Sequence, residues 1–456
     1  MSSATDERAP ETTRRASLLR LLDVIRMPVI ATLLGFIGGG LIIWLTSGNL
    51  GTVFVAYQAL IDGAFVKTRG MSETLVATTP YIFLGLGLAV GFKAGLFNIG
   101  AEGQFYIGAI SAVWAGIVFA GLPAIIHLPL AILAGALGGA IWAGIPGILK
   151  ARTGAHEVIT TMMMNYVAFR LTEYLVSDPL RDPHSSAVQT LRVAPNAQMW
   201  SLWQIPEKLT DPLNALGVAL FFAILGLFLA RWIVSRWRFA ERFATPSQRR
   251  WAILGIAAAI GVIIFLALPP LSRIWWPFTD QYDRLHIGFI IALAAAGAVY
   301  WLMFRTTLGF EMRTVGANPD AARYAGINIS RNIVITMAIS GALAGIAGTT
   351  EVLGVVICRC LPLFFSSGYG FDSIALALLA KNNPIGIVAS AFLWGAMRNG
   401  ADLMELNSGV SKYVISTIQA LVLLFVAAPA MVRYLLRMRA PRKEEHEAPL
   451  TRGWGA

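Results

Sequence analysis

The segment Gly95-Leu-Phe-Asn-Ile-Gly-Ala-Glu-Gly-Gln104 gathers hydrogen-bonding side chains inside an otherwise apolar stretch. Asn98 and Gln104 each bring donors and acceptors, Glu102 brings a carboxylate, and Phe97 is available to stack on a ring. Three glycines within nine positions, Gly95, Gly100 and Gly103, weaken any helix through this region. A break of this kind frees backbone groups that must face protein or a watery cavity. Amide side chains at such a point suit a polar, uncharged solute, whose hydroxyls and ring nitrogens need new partners on leaving water. A second reading keeps Glu102 local, as a cap on the following helix or as the partner of Lys93.

Downstream, Glu157, Thr161 and Asn165 in His156-Glu-Val-Ile-Thr-Thr-Met-Met-Met-Asn165 follow at steps of four and line one helix face. Glu157 fits the positive end of a helix dipole, Asn165 fits the polar path, and the three methionines give a surface that can repack. A third cluster, Gly309 to Gly326, is a short polar segment between two long apolar ones. There Asn318 can cap a helix, Pro319 suits its first turn and Gly326 can end it. Arg313, Gly316, Asn318, Pro319, Arg323 and Gly326 then form a compact element with a basic side, suited to docking against another protein. The alternative is that Arg305, Arg313 and Arg323 only mark a cytoplasmic loop.

The elements that must hold these residues are set by composition. Of 456 residues 56% are hydrophobic and 13% charged, which excludes an ordinary soluble domain. Apolar runs near 29–46, 75–92, 104–121, 124–148, 157–177, 213–233, 252–268, 286–304, 332–352, 384–400 and 413–435 have the length needed to cross lipid, with 363–381 a weaker twelfth. Lipid favours helices for such runs. The fold class expected is an all-α integral membrane protein, a bundle of about 10–12 transmembrane helices. Glycines such as Gly135, Gly138, Gly139, Gly341 and Gly345 are read as close helix packing.

The net charge of +11 sits in clusters: Arg14 to Arg26, Lys150 and Arg152, Arg231 to Arg250, Arg305 to Arg323, and Arg433 to Lys443. With a cytoplasmic amino terminus all five fall on one side, as the positive-inside rule requires, so no nucleic-acid partner is needed. The expected organisation is a cytoplasmic tail 1–28, a membrane domain 29–435 with a coupling loop 305–331, and a cytoplasmic tail 436–456. Membrane lipid is the main solvent. Loop 178–211 falls outside, its Trp200 and Trp203 placed at lipid headgroups or against an external protein. Cys358 and Cys360 read as two small interfacial residues, too close in sequence for a good disulfide.

Taken together, Gly95 to Gln104 and Gly309 to Gly326 resemble the permease subunits of ABC importers for nucleosides, simple sugars and branched-chain amino acids, the nucleoside type most closely. The segment His156 to Asn165 is similar to the family's matching span, and Phe371 to Gly386 with Arg398-Asn-Gly400 to its late region. Lys381-Asn-Asn383 departs from the family's smaller residues before the proline. The spans 213–268 look like an inserted helix pair. Gly135-Ala-Leu-Gly-Gly with Glu157 and Asn165, against Gly341-Ala-Leu-Ala-Gly with Asp372 and Asn382, would make an inverted repeat; chance likeness of Gly/Ala-rich helices is the alternative. Asp372 with Ser373 is read as a helix cap or an outer carboxylate.

The resemblance implies a multi-pass permease of the inner (plasma) membrane with both termini cytoplasmic. It also implies a separate ATP-binding subunit, a second permease chain, and an extracytoplasmic binding protein or lipoprotein. No Gly-x-x-x-x-Gly-Lys-Ser/Thr loop occurs, so ATP with magnesium belongs to the partner, and no cofactor, metal or catalytic residue is assigned to this chain. The remaining readings are a branched-chain amino acid permease and an ion-coupled secondary transporter.

Overall fold

The computed structural model describes residues 9–236, 246–356, 358–428 and 432. Its helices, in chain order, are α1 (Ala9–Ser47), α2 (Leu50–Ile61), α3 (Gly70–Lys93), α4 (Ala101–Val118), α5 (Ala124–Thr153), α6 (Glu157–Ser177), α7 (Ile205–Lys208), α8 (Pro212–Arg236), α9 (Pro246–Ile274), α10 (Ile287–Arg305), α11 (Thr307–Ala317), α12 (Pro319–Tyr324), α13 (Ile329–Thr350), α14 (Tyr369–Leu379), α15 (Pro384–Ser408) and α16 (Tyr413–Ala427). Among the described residues six helices are long and apolar enough to cross a membrane, seven if the bent α7–α8 pair is one span. The helices α4, α6 and α15 have 18, 21 and 25 residues but carry more polar faces. This is a polytopic all-α membrane protein.

Helix α1 begins at Ala9 and runs through Pro28, so helix extends back into the stretch read as a tail. The tail beyond 436, the basic residues Arg433 to Lys443, and Arg238 and Arg242 lie outside the described residues. The chain divides into two units, Met1–Val53 with Tyr413–Ala456, and Phe54–Lys412. Within the first, α1 pairs with α16 through glycine: a Cβ at Gly38 would sit 2.9 Å from Leu421.

In the second unit the centre is α3, α4, α5 and α13. Gly135 meets Gly345 and Gly139 meets Gly341, with no room for a Cβ on these faces. Those pairings advance along α5 while they retreat along α13, so the two helices run antiparallel. The buried core along α4 and its neighbours includes Ile110, Val113, Leu128, Val352 and Leu361. The helices α8 and α9 pack on each other, Gly226 against Ile260, and α9 leaves most of its apolar surface uncovered by protein.

Two elements are broken where the sequence reads as continuous. After α13 the chain forms a π-turn, Glu351–Val355, and then an irregular segment that leads into α14. The expected crossing at 363–381 is only the eleven residues of α14, roughly 16 Å of helix and half a bilayer. Gly368, at φ +93°, starts it; Asp372 is therefore not its cap. At the far end Lys381 and Asn382, both left-handed at φ 50° and 55°, make a tight reversal, and Asn383 caps α15 by accepting from Ile385 N.

The loop 178–211 is packed rather than floating. Val193 N donates to Arg359 O (2.8 Å), Met199 N to Leu353 O (3.0 Å) and Leu202 N to Leu285 O (2.7 Å). Trp200 is buried by these contacts, which corrects its expected place at the headgroups. Cys358 and Cys360 are disulfide-bonded, their Cα atoms 5.1 Å apart. The pairing rejected from sequence spacing is made feasible by Arg359, whose left-handed backbone (φ 51°) curls the chain. Beside this loop His286 caps α10 by accepting from Gly288 N at Nδ1 (3.1 Å), which places the neutral ring's proton on Nε2. Burial, aided by the charges of Arg359 and Arg284, holds its pKa down to about 3.

Candidate functional site

At the end of the second unit opposite that loop, α11 and α12 form a bent pair. Asn318 ends α11 and starts α12, its Oδ1 accepting from Asp320 N (3.0 Å) and Ala321 N (3.1 Å) with Pro319 in the first turn. Gly326, at φ +77°, follows the helix. These three signals fall where the sequence puts them, because capping is local. The arginines do not share one face. Arg313 is half-buried, 5.2 Å from the Phe304 ring centroid, with Nε donating to Gly309 O. Arg323 is exposed, and beside it Tyr324 is 96% exposed. An exposed tyrosine leaves no periodic signal, so sequence reasoning passes over it, yet aromatic and arginine side chains are the usual anchors of protein interfaces.

Gly316 lies directly on the turn that closes α3. A Cβ there would overlap the Lys93 carbonyl and come within 2.6 Å of Ala94 C and 2.7 Å of Gly95 N. Gly95 itself is left-handed at φ +73°, which only glycine adopts freely. Two glycines thus let the backbone of α11 touch the backbone of the α3–α4 connection, with no flexible side chain between them.

That connection carries the amides. Asn98 Nδ2 donates to Gln104 Oε1 (2.9 Å) and to Ser340 Oγ of α13 (2.9 Å), while its Oδ1 accepts from Gly100 N and Gln104 Nε2 (both 3.0 Å). Asn165 of α6 accepts from Gly103 N (2.8 Å) and donates to Ile99 O (2.9 Å). All three amides are at least 98% buried. They close the broken backbone between α3 and α4 and tie it to α6 and α13. Thr161 and Asn165 share the buried face of α6, as their spacing requires. Phe97 is separate, 37% exposed with its ring 5.0 Å from Phe92.

Glu102 goes elsewhere. Its carboxylate accepts from Ser366 Oγ and Gly370 N, so it neither pairs with Lys93 nor caps its own helix. It sits at the amino end of α14, where a helix dipole favours negative charge. Around that end is a polar cluster midway along α3 and α15. Tyr81 Oη donates to Asp372 Oδ2 (2.9 Å), Arg398 Nη1 donates to Tyr81 Oη (3.0 Å), and the guanidinium lies 4.0 Å from the Tyr369 ring centroid. Arg398 also reaches Ser367 Oγ. Ionisable groups at such depth are costly unless paired, and they concentrate where solutes or ions pass. An aromatic column runs from here toward the loop 178–211: Tyr81 to Tyr369 at 5.0 Å, Tyr369 to Phe105 at 5.7 Å, and Phe105 stacked on Phe365 at 5.2 Å.

Sequence comparison gives this geometry a context. The family described as branched-chain amino acid transport system / permease component matches residues 70–427. The guanosine ABC transporter permease protein NupP of Bacillus subtilis is 36% identical over 419 residues, covering 92% of this chain and 97% of the relative. The nucleoside ABC transporter permease protein NupB of Lactococcus lactis is 28% identical, covering 93% and 95%. A glucose ABC transporter permease protein of Haloferax volcanii is 29% identical, covering 81% and 79%. No solved structure matches the chain.

Proposed function

The chain belongs to the permease-component family of branched-chain amino acid transport systems, and from that premise we propose that it is the membrane subunit of an ATP-driven importer of nucleosides. The observation that carries the mechanism is the backbone seat of Gly316 on Lys93 to Gly95. A push on α11–α12 by an ATP-hydrolysing partner reaches the α3–α4 break without slack, and the Asn98 bonds to Gln104 and Ser340 pass it to α13. In this reading Arg323 and Tyr324 meet the ATP-binding subunit, on which ATP and magnesium reside. Arg313, Gly316, Asn318, Pro319 and Gly326 shape the docking element. Phe97, Asn98, Glu102, Gln104 and Asn165 bound the inner part of the solute path, the amides by holding the break in shape.

The basic end is assigned to the cytoplasm, with both termini there, and the end bearing loop 178–211 to an extracytoplasmic binding protein or lipoprotein. A second permease chain completes the transporter. The names of the guanosine and nucleoside relatives support nucleosides over branched-chain amino acids as cargo.

The docking surface is tested by Arg323→Glu combined with Tyr324→Ala in the complex. Co-purification of the ATP-binding subunit should fall at least tenfold, since loss of hot-spot residues costs about 2 kcal/mol or more each, while insertion of the permease is unchanged. Undiminished association would move docking away from α12.

A further inference from the structure

Helix α6 is long enough to span a bilayer, yet it is not apolar enough to face one. Arg170, in its outer half, has a side chain 82% exposed and is paired with Glu173 at 2.6 Å. An exposed arginine in a spanning helix is expensive against lipid, so this face of α6 borders water or protein. Beside it lies a recess of about 340 Å³ between α6, α4 and residues Pro362 to Phe364, within the range of small-molecule sites. A larger groove of about 560 Å³ between α3, α10 and α15 is almost wholly apolar and offers a polar solute nothing.

The recess is built differently. Its walls are Tyr106, Tyr166 and Phe169, with Tyr106 and Phe169 edge to face at 4.9 Å and Tyr166 and Phe169 at 6.4 Å. At its lip Phe364 is 78% exposed and held in a left-handed backbone, φ 55°, a conformation that a bulky residue keeps only when its surroundings impose it. Thr172 lines the same recess, 96% buried, and its hydroxyl has no hydrogen-bond partner among the described residues. Buried hydroxyls are as a rule hydrogen-bonded, so one that is not calls for an explanation.

We infer that this recess is the site where the base of a nucleoside docks during transport. The aromatic walls offer ring faces, which stack on any base. At the rim Glu173 can accept from ring or exocyclic N–H groups while Arg170 donates to ring nitrogens and carbonyls, and in the wall behind them the Thr172 hydroxyl is left to be paired. This set favours a planar ring with both donors and acceptors on its edge, a purine such as guanine foremost, and gives an aliphatic amino acid little to bind. The aromatic column from Tyr81 through Phe365 continues inward from the recess. The assignment rests on the nucleoside-importer reading above and adds the site.

The test uses the full complex, with its ATP-binding subunit and binding protein, in proteoliposomes. Thr172→Val keeps shape and removes the hydroxyl; Phe364→Leu removes a ring from the lip. Each should raise the KM for radiolabelled guanosine, roughly fivefold for the hydroxyl and roughly tenfold for the ring, with co-purification of the ATP-binding subunit unchanged. Light-activated 8-azidoguanosine should label peptides of α6 or 362–364, and guanosine but not ribose should compete. Guanosine uptake with unchanged KM in both variants and labelling elsewhere would overturn the site while leaving the function intact. A complex that carries no guanosine, adenosine or uridine would overturn both.

Discussion

Asn98 uses both ends of its amide in four bonds to three residues, and removing it leaves Gln104, Ser340 and Gly100 N each short of a bond in a buried setting. An unsatisfied buried group costs about 1–3 kcal/mol. Asn98→Ala should therefore lower the thermal midpoint of the detergent-solubilised chain by several degrees as well as reducing uptake; an unchanged midpoint would return Asn98 to a purely solute-facing role. His286 gives a pH-dependent counterpart. Its pKa falls from an ordinary value near 6.5 to about 3 on folding, so below pH 6.5 the unfolded chain binds the proton that the folded chain refuses. Its contribution to stability is complete above that pH and is lost as pH drops, by up to about 1.4 kcal/mol per pH unit. His286→Asn keeps an acceptor for the α10 cap and should flatten the fall in thermal midpoint between pH 7 and 5, measured against the parent chain. The capping role of Asn318 was legible because its partners lie within three residues. The partners of Glu102 lie 264 and 268 positions away, beyond any local pattern, so its place at the head of α14 was not.

The long helices were readable from apolar length, and the glycine-rich faces of α5 and α13 from composition. The half-helix α14 and the π-turn after α13 were not, because an apolar run looks the same whether it crosses lipid or bends back inside protein. Nor was the seat of α11 on the α3–α4 turn, which joins positions 95 and 316 through bare backbone. That seat is open to a direct experiment. Gly316→Val must push α11 off the turn, whereas Gly297→Ala, with open space around it, serves as a control. In the assembled complex Gly316→Val should leave ATP hydrolysis and association largely intact while uptake falls at least tenfold, a loss of about 1.4 kcal/mol in coupling. Equal loss of association and uptake would mean that Gly316 only keeps the docking element folded.

Taken as a whole, the second unit sets three regions along its helices: the bent α11–α12 pair, to which docking is assigned, at the basic end, a broken and polar middle around Glu102, Tyr81 and Arg398, and a packed loop with the disulfide at the other end. Overall class was legible from hydropathy and charge, since lipid imposes both. The folding of loop 178–211 onto the opposite end was not, because its contacts with 353–363 depend on chain reversals that no periodicity records. Force for solute movement is proposed to enter from a separate ATPase through α11–α12. The decisive experiment is radiolabelled guanosine uptake into vesicles holding this chain alone, or with a second permease chain, an ATP-binding subunit and a binding protein, with and without ATP inside the compartment that the ATPase faces. Accumulation is expected only in the complete, ATP-supplied vesicles; accumulation by the lone chain under an ion gradient would rule out an ATPase-driven permease.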